Sequence, residues 1–172
     1  MYCTINVMPR NEEIKEMIPY LKTLEEIGID AVLVSDLGVL SVVKKHTNLP
    51  IHISTQANTI NYEACNMWET LGAERVVLAR ECSLKEIEDI RENISEELEL
   101  EVFVHGAMCI SYSGRCLLSS YMTGRDSNRG SCAQSCRWKY SLVEEKRPNE
   151  YFPIEEDSKG TYIMNSKDLC MI

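Results

Sequence analysis

Cys109, Cys116, Cys132 and Cys136 are four of the eight cysteines of the chain, they crowd into one short stretch, and Cys170 follows. Thiols gathered so densely in a chain with no export signal stay reduced, and they point to a metal or iron–sulfur centre before disulfides. The spacing Cys109-x6-Cys116-x15-Cys132-x3-Cys136 suits loop ligands wrapped round a four-iron four-sulfur cubane, although it matches no standard ferredoxin run. Four-thiolate zinc usually shows two close cysteine pairs, and only Cys132 and Cys136 resemble one, so a cluster is favoured over zinc. Cys3, Cys65 and Cys82 fall in or beside regular elements, where a thiol serves as a small buried hydrophobe.

The same stretch concentrates positive charge. Between His105 and Tyr140, Arg115, Arg125, Arg129, Arg137 and Lys139 face only Asp126, a net charge of +4 in a chain whose total is −9. A basic island on an acidic body draws an anion locally while arguing against a surface that binds nucleic acid throughout. The guanidinium fork pairs bidentately with carboxylate or phosphate, which makes Arg125, Arg129 and Arg137 candidates for an anionic ligand. Trp138 and Tyr140 could stack on a base, though packing of the insertion against the barrel is the favoured reading. His105, placed at a strand end before Gly106, and Arg115 are the catalytic candidates. His46 and His52 read as structural or surface residues.

The elements that must position these groups alternate. Apolar runs at Tyr2 to Val7, Ala31 to Val34, Ile51 to Ser54, Arg75 to Ala79 and Leu100 to Val104 are expected strands. Amphipathic stretches at Asn11 to Ile27, Leu37 to His46, Asn61 to Leu71 and Leu84 to Glu97 are expected helices. Such a βα repeat implies a parallel sheet. Ser83 with Glu86 forms a capping box, Asn11 and Asn61 suit N-caps, and Gly28 and Gly72 suit left-handed C-terminal caps. Pro19 should kink its helix or start a new one. Strand ends turn polar at Asn6, Ser35, Asp36, Ser54, Arg80, Glu81 and His105, the placement an αβ barrel uses for its active face.

His105 to Gly160 breaks the alternation and reads as a cysteine-rich insertion on that face; a sixth strand is expected at Thr161 to Asn165. Six strands do not close an eight-stranded barrel. The fold class expected is therefore α/β, an incomplete TIM-type (β/α) barrel with residues 1–172 forming a fragment of a single domain. No stretch has the apolar length of a membrane helix and Met1 to Pro9 lacks the pattern of a leader, so a cytoplasmic location is expected.

The segments Glu101-x-Phe-Val-His-Gly-Ala-Met-Cys109-Ile-Ser-Tyr-Ser-Gly-Arg-Cys116, Asn128-Arg-Gly-Ser-Cys132-Ala-Gln-Ser-Cys136-Arg and Asn165-Ser-Lys-Asp-Leu-Cys170 resemble the signature of the collagenase-like peptidase family U32. Val34-Ser-Asp-Leu-Gly and Ser54-Thr-Gln-Ala-Asn fit it too. The resemblance implies a barrel whose first strands and closing part lie outside this chain. It implies oxygen-independent hydroxylation with a four-iron four-sulfur cluster, most similar to the branch acting on a transfer RNA uridine, with prephenate as co-substrate and a second family subunit as partner. Cys109, Cys116 and Cys132 match ligand positions, and Cys136 and Cys170 compete for the fourth. Two other readings stand beside it: a collagenase-like peptidase, as the family was first described, and a non-enzymatic module in which zinc-bound thiols present a basic loop to RNA. The peptidase reading has no support from the residues, which show neither a nucleophile elbow nor H-E-x-x-H.

Overall fold

The protein is seen in a computed structural model that describes residues 1–107 and 109–153 and the backbone of 168–170. It divides into two compact units, Met1–Phe103 and Val104–Ile172.

The first unit runs β1 (Tyr2–Ile5), α1 (Asn11–Glu26), β2 (Ala31–Val34), α2 (Leu37–His46), β3 (Ile51–Ile53), α3 (Tyr62–Thr70), β4 (Arg75–Val77), α4 (Leu84–Glu92) and β5 (Glu99–Glu101). The strands pair in parallel in the order β1-β2-β3-β4-β5. This is the expected α/β alternation. Right-handed crossovers repeated in one direction put the four helices on one face of the sheet, and the core agrees. Ile5, Val32, Val34, Ile51, Ile53, Val76 and Leu78 share one buried cluster with Leu21 and Leu24 of α1, Val39 and Val43 of α2, Cys65 of α3 and Ile90 of α4.

Because side chains alternate along a strand, the residues between these point to the opposite face, where apolar Ala31, Leu33 and Val77 sit beside a polar network. Arg75 Nε donates to Glu99 Oε2 at 2.7 Å, and its Nη1 reaches Glu101 Oε2 at 3.3 Å and Tyr2 Oη at 3.4 Å. The Tyr2 ring meets His52 edge-on at 4.9 Å. His52 is buried, and its pKa is lowered first by that burial and then by Arg75.

Three local expectations are corrected. The N-cap of α1 is Arg10, not Asn11: the Glu13 carboxylate accepts from the Arg10 backbone N–H at 2.7 Å, holding the chain one residue earlier. Pro19 sits inside a continuous α1, so of the two expectations for it the second helix is not found. It lies on an exposed face, where the carbonyl it deprives of a partner can turn to water. Helix α4 stops at Glu92 instead of Glu97, because Asn93 and Ser95 bond backbone themselves: Asn93 Nδ2 to Asp89 O at 2.8 Å, and Leu98 N to Ser95 Oγ at 3.1 Å. The caps at Asn61 and Ser83 and the left-handed Gly28 and Gly72 stand as expected.

The second unit holds β6 (His105–Ala107), α5 (Leu118–Thr123), β7 (Ser141–Glu144), β8 (Arg147–Pro153) and β9 (Asp168–Cys170). Strands β6 and β9 pair antiparallel, as do β7 and β8. His105 therefore opens a strand of this unit instead of closing β5, which ends at Glu101. The expected strand at Thr161 to Asn165 lies outside the described residues. No helix among the described residues is long and apolar enough to cross a membrane.

Candidate metal centre

The thiol-bearing stretch of the second unit is built from single turns. Short 3-10 turns at Tyr112–Gly114, Ser127–Arg129 and Ser135–Arg137 alternate with left-handed residues: Ser113 (φ 42), Gly124 (φ 69), Gly130 (φ 78) and Gln134 (φ 53). Left-handed backbone at a serine and a glutamine is strained, and the surrounding hydrogen bonds must hold it. They do so through Cys116 and Ser119. The Cys116 carbonyl accepts from Ser127 Oγ and from Asn128 Nδ2 at 3.1 Å, and Ser119 Oγ accepts from Ala133 N at 2.9 Å.

The bent backbone points N–H groups at sulfur. Leu118 N lies 3.2 Å from Cys116 Sγ, Gln134 N lies 3.3 Å from Cys132 Sγ, and the Ser111 backbone N–H bonds the Cys109 thiol. Each donor sits two residues after its cysteine. Such bonds favour the thiolate, the form that binds metal.

The other three thiols lie close enough to act on Cys109. Burial pushes the pKa of Cys109 up, the Ser111 N–H pulls it down, and Cys116, Cys136 and Cys132 each push it up again, since neighbouring negative charge disfavours a second thiolate. Cys116 is buried, Cys109 and Cys136 are half-buried, and Cys132 is exposed. Among the described residues no three His, Cys, Asp or Glu side chains crowd closely enough to bind one metal ion. A cubane makes a different demand, taking each thiolate on a separate iron. The donor set fits that demand: sulfurs that repel each other when ionised are relieved by a cationic centre, and N–H donors are already aimed at three of them. The Ser135 hydroxyl, beside Cys136, is buried with no hydrogen-bond partner.

The other expected site residues differ in exposure. His105, Arg115, Arg125 and Arg129 are exposed and Arg137 is half-buried. His105 lies opposite Cys170 in the β6–β9 register, which brings the backbone of Cys170 within one strand spacing of the segment leading to Cys109; the Cys170 side chain lies outside the described residues. Trp138 and Tyr140 stack on each other at 6.4 Å, and Tyr140 Oη donates to the Ser135 carbonyl at 2.7 Å. Cys65 and Cys82 are buried in the first unit, burial pushing the Cys65 thiol up to about 11, and Cys3 is half-buried. A groove of about 650 Å³ runs beside α4, but Glu86, Glu88, Asp89 and Glu92 line it and no thiol does, so it suits neither metal-bound sulfur nor a phosphate.

Reading by residue type alone missed the three backbone donors and Ser135; the only signal for them was the short polar residues around each cysteine.

The model of peptidase family U32 matches residues 1–172, the whole chain. The chain belongs to peptidase family U32. It is 40% identical, over 98% of its length, to tRNA hydroxylation protein P of Escherichia coli K12, of which it covers 46%. It is 33% identical, over 85% of its length, to the 23S rRNA 5-hydroxycytidine synthase of the same organism, covering 22% of that protein. The solved structure of the U32 peptidase Mk0906 superposes with a TM-score of 0.51 at 19% identity, covering 62% of this chain and 46% of that one. That likeness speaks for the fold alone. This member of the family spans about half the length of the first of these relatives.

Proposed function

We propose that the intact protein is an RNA hydroxylase, acting on a transfer RNA uridine without molecular oxygen and depending on a four-iron four-sulfur cluster. The relatives named for transfer RNA and ribosomal RNA hydroxylation support the reaction class. The single observation that carries the cofactor is the closeness of Cys116, Cys132 and Cys136 to Cys109 within one stretch whose backbone N–H groups already face sulfur. Cys109, Cys116 and Cys132 hold the cluster in this reading, with Cys136 or Cys170 as the fourth ligand. When bound, the cluster supplies one-electron redox chemistry at a potential that hydrogen bonds to its sulfurs tune. The N–H groups of Ser111, Leu118 and Gln134 are placed to do that tuning, and the Ser135 hydroxyl has a proton to donate to an anionic group beside it.

The cations of the island have the role of holding anions: Arg125, Arg129 and Arg137 for RNA phosphates or for the carboxylates of prephenate, the co-substrate that the family resemblance implies. His105 and Arg115, exposed near the start of the thiol stretch, are proposed to move a proton and to stabilise charge at the reacting atoms. In the intact protein the one-way parallel sheet is read as closing into an αβ barrel, with the thiol stretch inserted on its active face. A second family subunit belongs to the same reading, tested by co-purification. Peptide hydrolysis rests on the family's name alone.

Intact protein purified without oxygen is expected to be brown and to carry iron and acid-labile sulfide in nearly equal amounts. Cys109→Ser and Cys116→Ser should lose both and abolish RNA hydroxylation, measured by mass spectrometry of nucleosides from cells lacking the native gene. Zinc without sulfide would replace the cluster with a structural metal site. Gelatin cleavage surviving these changes would restore the peptidase.

A further inference from the structure

At the carboxyl ends of β1, β2 and β3 polar side chains are committed to one another or to backbone carbonyls. Asn6 Nδ2 donates to Ser54 Oγ at 3.1 Å, Ser35 Oγ donates to the Asn6 carbonyl at 2.9 Å, and Thr55 Oγ1 donates to the Leu78 carbonyl at 3.0 Å. Arg80, three residues past β4, is the exception. Its guanidinium lies 4.2 Å from the centre of the Phe103 ring, and its Nε is buried with no hydrogen-bond partner. No hydrogen bond or ion pair of Arg80 is formed among the described residues. Arg75, on the same sheet, shows the contrast: its guanidinium is engaged by Glu99, Glu101 and Tyr2.

A buried donor left unpaired costs about 1–3 kcal/mol, more when charged, so such a group is normally satisfied by something. The Phe103 ring contributes a cation–π contact to Arg80 without using any of its N–H donors. A planar, half-buried guanidinium packed on a ring, with its donors unspent among the described residues, suits a planar two-oxygen anion. The carboxyl ends of strands in a parallel sheet are where ligands bind in such folds.

We propose that Arg80, packed on the Phe103 ring, is the seat of a small organic carboxylate. The acceptor is a carboxylate and not an RNA phosphodiester, because a compact planar anion matches a fork backed by a ring, whereas a backbone phosphate is reached by exposed cations. This goes beyond the proposed hydroxylase and requires neither its cluster nor its RNA.

The test is titration of intact protein with malonate and, separately, with inorganic phosphate, followed by calorimetry. Saturable malonate binding stronger than phosphate binding is expected, weakened at least tenfold in Arg80→Gln and severalfold in Phe103→Leu. Arg80→Lys, which keeps charge but loses the fork, should recover only part of the affinity and guards against a variant that fails to fold. Preference for phosphate would overturn the carboxylate assignment. Unchanged malonate affinity in Arg80→Gln, or no saturable binding of either probe, would reduce the Arg80–Phe103 pair to packing. Loss of iron leaves this titration unaffected, so failure of the hydroxylase reading and failure of this one are separable.

Discussion

His52 shows how a single side chain ties this sheet to solution conditions. It is buried, and its folded pKa is held below the ordinary value by that burial and by Arg75, with Glu101, Glu74 and Glu99 offsetting part of the effect. Between that depressed value and the unfolded value of about 6.5, the unfolded chain binds more protons than the folded one, so stability falls as pH drops through this window. Urea midpoints should therefore decline from about pH 7.5 to about pH 5.5, and His52→Asn should flatten the decline; an equally steep decline in the variant would assign it to other groups. At this scale the thiols were legible and their surroundings were not. Cysteine spacing announces a candidate ligand set, but the donors at Ser111, Leu118 and Gln134 are backbone groups aimed by strained turns, and no residue type advertises a φ angle. Arg80 stood out only as one polar strand end among several until Phe103, 23 positions later in the chain, was seen beneath it.

Elements were legible where periodicity was long and boundaries where a cap was explicit. Helix α2 and strand β2 begin and end as read, and Asn61 and Ser83 cap as their side chains require. The misses are local contests between backbone and side chain: Glu13 captured Arg10, Asn93 and Ser95 drew the last turn out of α4, and the β7–β8 hairpin lacks the Asn-Gly or Asp-Gly turn that announces such loops. Pro19 is the sharpest test. An interior proline costs about 3 kcal/mol relative to alanine in a helix, while its restriction of the unfolded chain returns about 0.4–1 kcal/mol. Pro19→Ala should thus stabilise the protein by roughly 2 kcal/mol in denaturant unfolding; no gain would mean that α1 at Pro19 is already relieved by its neighbours.

On the scale of the whole molecule, the sheet carries two unlike faces, one sealed by helices and one bearing Tyr2, His52, Arg75, Glu99 and Glu101. The alternation of βα units made the first face legible, since apolar strand residues and helix stripes must meet. The second face was opaque, because a polar residue in a short apolar run reads as a strand end and not as a partner in a network. In the five-stranded sheet, β1 and β5 are the outermost strands. A free strand edge offers unpaired backbone to any other chain, and natural proteins blunt it with charge. Glu99 and Glu101 stand on that edge, in a chain already at −9, so two copies meeting there would bring carboxylates together. In the 172-residue chain, where no strand among the described residues continues the sheet past β5, replacing both with glutamine should promote self-association, visible as growing light scattering at neutral pH. The two acids that engage Arg75 thus have a second duty, as guards against uncontrolled stacking of one molecule on another.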